Sequence, residues 1–105
     1  PSVLNEREVF YLANYLQMSP GQMDSKLGLT RRMKVVASNL RKFGMLEGET
    51  ANLSDYHTTM IKDGLEHIAA KGIRNYCEEL GKNCGVKGTT IRTDYAIMKR
   101  YGKIE

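Results

Sequence analysis

Apolar residues recur along this chain three and four positions apart, the spacing of one buried helix face. Val9, Leu12, Ala13 and Leu16 give the first such stripe, in a helix expected from a cap at Asn5 to about Gln17. A second start follows at once. Ser19 fits an N-cap, Pro20 the first helical position and Gln22 the third, which makes a capping box. Met23 and Leu27 form the short apolar face of this helix, and Gly28 suits a left-handed stop. Thr30 is the expected cap of a third helix, with Met33, Val36, Ala37, Leu40 and Phe43 inward and Gly44 at its end.

The second half repeats the theme. Ser54 is the expected cap of a fourth helix that turns Ile61, Leu65, Ile68 and Ala69 inward and stops near Gly72. Gly64 inside it costs about 1 kcal/mol relative to alanine and suggests close packing against a neighbour. Ile73, Tyr76, Cys77 and Leu80 mark one face of a fifth helix, and Ile91, Tyr95 and Met98 one face of a sixth. Gly88 is a poor helix residue, so the sixth is expected to start at Thr89, a good N-cap. The pattern predicts an all-α chain of two small three-helix units, 1–50 and 51–105, joined near residues 47–53.

Composition narrows the class. Of 105 residues, 41% are apolar and 27% charged, as in globular domains, and no apolar run approaches the ~20 residues that span a bilayer. The first residues lack the basic region and apolar core of a secretion signal. No membrane partner is expected, and the expected location is the cytoplasm. Cys77 and Cys84 are seven residues apart, so on one helix they stand about 10 Å apart, too far for a disulfide. With His57 and His67 they form neither a CxxC nor an HxxxH pair, and no metal or other cofactor is expected.

The net charge is +4, and its placement is more informative than its size. Residues 26–42 carry Lys26, Arg31, Arg32, Lys34, Arg41 and Lys42 and no acid. Residues 82–103 carry Lys82, Lys87, Arg92, Lys99, Arg100 and Lys103 against Asp94 alone. On the third helix Arg31, Lys34, Ser38 and Arg41 fall along one outer side, a basic stripe suited to phosphates and base edges, and Arg32 is a further candidate for DNA contact. A solvated helix face has the same composition, so charge alone does not settle the matter.

The stretch 80–95 resembles the helix-turn-helix signature of bacterial, phage and plasmid regulators. Leu80 is its inward residue, Gly81 the small residue at the helix crossing, Cys84 inward again, Gly85 the turn, Val86 the apolar plug and Ile91 the core anchor of the second helix. Residues 19–47 resemble the winged-helix variant, with a short β-wing expected after Gly44. They depart from it in two places. Asp24 stands where a small residue is usual, and the interval from Gly28 to Met33 is one residue short. The resemblance implies sequence-specific binding of double-stranded DNA in transcription control, by a homodimer on a repeated site. It places Thr89, Thr90, Arg92, Thr93 and Ala96 at the front of a recognition helix. Lys87, Lys99, Arg100 and Lys103 would then hold phosphate. Arg92 is the candidate for reading a base, since arginine bonds guanine through two hydrogen bonds.

No catalytic constellation is evident. Neither histidine is in register with a serine or cysteine, and no carboxylate pair lies in an apolar setting. The chain is therefore expected not to be an enzyme. The competing expectation is a helical adaptor for a transcription or replication protein. Its anchors would be Tyr11, Tyr15, Tyr56, Tyr76, Tyr95 and Tyr101.

Overall fold

Capping residues set where this chain turns into helix. A computed structural model describes residues 2–105. It contains six helices: α1 (Glu6–Asn14), α2 (Pro20–Leu27), α3 (Met33–Lys42), α4 (Asp55–Lys71), α5 (Ile73–Cys84) and α6 (Gly88–Arg100). No strand occurs among the described residues. None of the helices is long and apolar enough to cross a membrane. The chain divides into an N-terminal unit, Val3–Asn52, and a C-terminal unit, Leu53–Glu105, to which Ser2 also belongs. Ser2 Oγ donates to the Tyr101 carbonyl at 2.9 Å.

In the N-terminal unit, α1 starts at a capping box. Asn5 Oδ1 accepts from the Glu8 N–H, and Glu8 Oε1 accepts from the Asn5 N–H, both at 2.9 Å. The expected inward face of this helix is wrong. Val9 is 53% exposed and Leu16 80%, while Glu8 and Tyr11 are buried. Two causes are evident. The helix ends at Asn14, so Leu16 lies beyond it. The Tyr11 ring stacks on Tyr15 with centroids 5.6 Å apart and offers far more apolar area than Val9. The second capping box forms as its sequence predicts, with Ser19 and Gln22 bonded reciprocally, and α2 ends on Gly28 at φ 68°. Met23, Met33, Leu40, Phe43 and Leu46 fill the core.

Thr30 does not cap α3. The helix begins at Met33 after Arg32, and Arg31 between them and Gly28 adopts a positive φ of 53°. The cap comes from α2 instead: Asp24 Oδ1 accepts the N–H of Arg32 at 3.2 Å and of Met33 at 2.9 Å. The expected β-wing is also absent. Residues 45–53 form a loop in which one backbone bond, Asn52 N–H to the Lys42 carbonyl at 2.9 Å, brings the chain back to the end of α3. A single bond without a continuing ladder makes no strand.

In the C-terminal unit, α4 is interrupted. Gly64 sits at φ 80°, ψ 164°, outside helical space. The Leu65 N–H beside it bonds the Glu105 carbonyl at 3.1 Å, and a Cβ on Gly64 would collide with that oxygen. The buried residues are His57, Met60, Gly64 and Ile68, three and four positions apart on both sides of the break, and the expected Ile61 and Ala69 are exposed. Helix α5 buries Tyr76, Cys77, Leu80 and Gly81. Cys84, expected inward, is exposed. It is the last helical residue before Gly85, which takes φ 69°. Helix α6 starts one residue before expectation, with Lys87 as N-cap and Gly88 in the first turn. Gly88 packs there against the backbone of α5, since a Cβ on it would meet Glu78 Cα at 3.4 Å and the Cys77 carbonyl at 3.5 Å. A bare backbone lets the two helices approach this closely.

Candidate nucleic-acid interface

The inner side of α6 is fixed by Ile91, Tyr95 and Met98, all buried. Helical geometry then sends Thr89, Thr90, Arg92, Thr93 and Ala96 outward, and all five are exposed. Thr93 Oγ1 donates to the Thr89 carbonyl at 3.0 Å, which orients its methyl and hydroxyl on the helix surface. Lys87 and Lys99 are exposed at the two ends. Neither of these lysines nor Arg92 forms an ion pair among the described residues. Arg100 is half-buried, its guanidinium 5.4 Å from the Tyr101 ring centroid.

The one acid of α6, Asp94, is only 6% exposed. The Tyr56 hydroxyl donates to its Oδ2 at 2.5 Å, and His57 Nε2 lies 2.8 Å from the same oxygen. The Ser54 N–H donates to His57 Nδ1 at 3.0 Å. Nδ1 is therefore an acceptor, so the ring proton sits on Nε2 and is donated to Asp94. The buried group is a neutral imidazole on a carboxylate. It ties the start of α4 to the middle of α6. Burial and the adjacent Asp94 carboxylate together push the Tyr56 phenol up from its ordinary value. Tyr76 is raised in the same way by burial and by Asp63, whose Oδ2 accepts its hydroxyl at 2.5 Å.

Beside the α6 face lies an open cleft of about 540 Å³, lined by Arg74, Cys77, Glu78, Lys87, Gly88, Thr89 and Arg92. Three cations face one acid there. Arg74 and Glu78 form an exposed i, i+4 pair at 3.3 Å. Burial pushes the Cys77 thiol up, and the Arg92 charge opposes that shift. Arg74 had no place in the sequence reading, because it precedes the basic segment by eight residues and only α5–α6 packing brings it near Lys87 and Arg92.

The N-terminal candidates are more dispersed. Lys34 and Ser38 are exposed on α3, Arg32 is its N-cap, and Arg31 lies in the connection before it. Arg41 is exposed but engaged: it pairs with Glu49 at 2.5 Å and donates to the Tyr11 hydroxyl at 3.3 Å. A cleft of about 640 Å³ borders α3, lined by Pro20, Gly21, Asp24, Arg31, Lys34 and Val35. Sequence reasoning missed the two buried aspartates that organise these helices. The available signal was an acid on an apolar stripe, Asp24 next to Met23 and Asp94 between Ile91 and Met98, since a buried carboxylate needs a partner.

Searches of protein-family models, of curated proteins and of solved structures give no match to this chain.

Proposed function

We propose that the chain is a helix-turn-helix module that binds double-stranded DNA, with α6 as the reading helix. The observation that carries this is the charge arrangement of α6. Its only acid is buried against His57 and Tyr56, while its outer face shows three threonines and Arg92 between Lys87 and Lys99. Such a face repels no phosphate and offers hydrogen-bonding and methyl groups to base edges. In this reading Arg92 reads a base, and Lys87, Lys99 and Arg100 hold phosphates. The resemblance of residues 80–95 to bacterial, phage and plasmid regulators adds the role, control of transcription.

A second reading has its own observation. Val9 and Leu16 are exposed on and just after α1, and an open cleft of about 420 Å³ there is lined by Leu4, Val9, Phe10 and Ala13 among others. An adaptor would present this surface to a partner protein.

Salt separates the two. Fluorescence anisotropy with a labelled mixed-sequence duplex at about 50 and about 200 mM salt is expected to show binding that falls tenfold or more, roughly, over that range. Arg92→Ala is expected to weaken it. No binding at the lower salt rejects the DNA reading and leaves the adaptor.

A further inference from the structure

The two units share one internal plan. Their middle helices both end on a left-handed glycine, Gly28 and Gly85. The next residue folds back on the helix: the Leu29 N–H bonds the Asp24 carbonyl at 2.8 Å, and the Val86 N–H bonds the Gly81 carbonyl at 3.0 Å. The last helix of each unit then buries residues at identical intervals, Met33, Ala37 and Leu40 in one, Ile91, Tyr95 and Met98 in the other. A buried ring follows three residues on, Phe43 or Tyr101, then a glycine at φ 66° or 70°, then a buried Leu46 or Ile104. The closing bonds match too, Met45 N–H to the Leu40 carbonyl at 2.8 Å and Lys103 N–H to the Met98 carbonyl at 2.9 Å. A cation lies over each ring, Lys42 over Phe43 and Arg100 over Tyr101.

This register pairs Lys34 with Arg92, Ser38 with Ala96, and Arg31 and Arg32 with Thr89 and Thr90. Helix α3 has no acid at all. Its outer face is thus the counterpart of the α6 face, with Lys34 and Ser38 exposed, Val35 where α6 has Thr93, and Arg41 held by Glu49.

We infer that α3 is a second DNA-contacting helix, so that each unit brings a helix of its own to the duplex. The inference rests on the DNA-binding reading above. The two faces divide the work. Helix α6 discriminates sequence, and α3, through Lys34 and Arg32, holds phosphate on any sequence.

The test uses the full chain with duplexes of about 12 and about 24 base pairs, roughly one and two helical turns. Affinity and salt slope are measured for the wild type, Lys34→Gln, Lys34→Arg and Arg92→Gln. Lys34→Gln is expected to weaken the long duplex severalfold on every sequence and to make the salt slope shallower by about 1. Lys34→Arg should retain the affinity, and Arg92→Gln should lose sequence preference. Unchanged affinity and slope in Lys34→Gln, with Arg92→Gln impaired, overturns the second contact and leaves the DNA reading standing. If neither duplex binds at about 50 mM salt, the DNA-binding reading falls and this inference with it.

Discussion

The Asp24 carboxylate accepts the backbone N–H of Met33 at 2.9 Å, so a side chain of α2 caps α3. Asp24 precedes Gly28 by four residues, as Gly81 precedes Gly85, and the two positions are solved differently. A Cβ at Gly81 would collide with the Val86 carbonyl oxygen, so the bare backbone lets the chain close in and α6 start three residues after Gly85. With a side chain at Asp24 the following helix starts two residues later, at Met33, and the carboxylate takes the two N–H groups that the shorter helix leaves open.

Asp24→Ala is expected to destabilise the N-terminal unit by about 2 kcal/mol, because it strips a charged acceptor from two N–H groups, one of them buried. Asp24→Asn keeps an acceptor oxygen and should cost about half as much. Denaturant midpoints of the three proteins check this. Equal losses in the two variants would show that the cap is not what matters.

Gly81→Ala should destabilise the C-terminal unit by about 1 to 3 kcal/mol, as overpacking against fixed backbone does. Gly21→Ala has only Ser19 Oγ near its new methyl, at 4.0 Å, and should be neutral or stabilising by up to about 1 kcal/mol. Thermal melts of the pair should therefore move in opposite directions or differ sharply in size.

Removing Asp94 leaves His57 Nε2–H and the Tyr56 hydroxyl without their shared acceptor in a buried setting. Asp94→Ala is expected to cost about 3 kcal/mol or more. Tyr56→Phe removes one donor and leaves the other satisfied, so it should cost about 1 kcal/mol. Denaturant unfolding separates the two, and a small loss in Asp94→Ala would contradict the role given to this cluster.

Alkali should unfold the chain through its tyrosines. The Tyr56 and Tyr76 phenols are raised from the ordinary 10.0 by burial and by a carboxylate partner. A raised folded value means the folded state holds the proton more tightly. The stability this supplies is whole below pH 10.0, falls as pH rises past it, and is lost once the folded phenols ionise. Phenolate absorbance during a pH titration should show Tyr56 and Tyr76 ionising only with the loss of helical circular dichroism. The double variant Tyr56→Phe, Tyr76→Phe should flatten the alkaline fall in stability.

Much of the helical plan was legible because it is local. Ser19, Pro20 and Gln22 announce α2, and Gly28 and Gly85 close their helices where a left-handed residue is needed. The outward set on α6 was implied by the helix-turn-helix resemblance, and it agrees with the buried period of Ile91, Tyr95 and Met98. The face of α1 was not legible, because in a nine-residue helix two stripes compete and the choice fell to the ring stack of Tyr11 and Tyr15 and the early end at Asn14. The wing failed for a similar reason. Residues 47–53 have turn chemistry, but a strand also needs a partner to pair with, and only the Asn52 N–H to Lys42 carbonyl bond ties that segment to another element.

By itself, then, the sequence determined the helices, most of their ends and the residues that α6 turns outward, since each depends on neighbours within a turn or two. Tertiary structure alone decided what the buried acids do. Asp94 meets His57 across 37 residues, Asp24 meets Met33 across nine, and Arg74 joins Lys87 and Arg92 at one cleft. Those meetings depend on which helix faces pack together, and no local period encodes that packing.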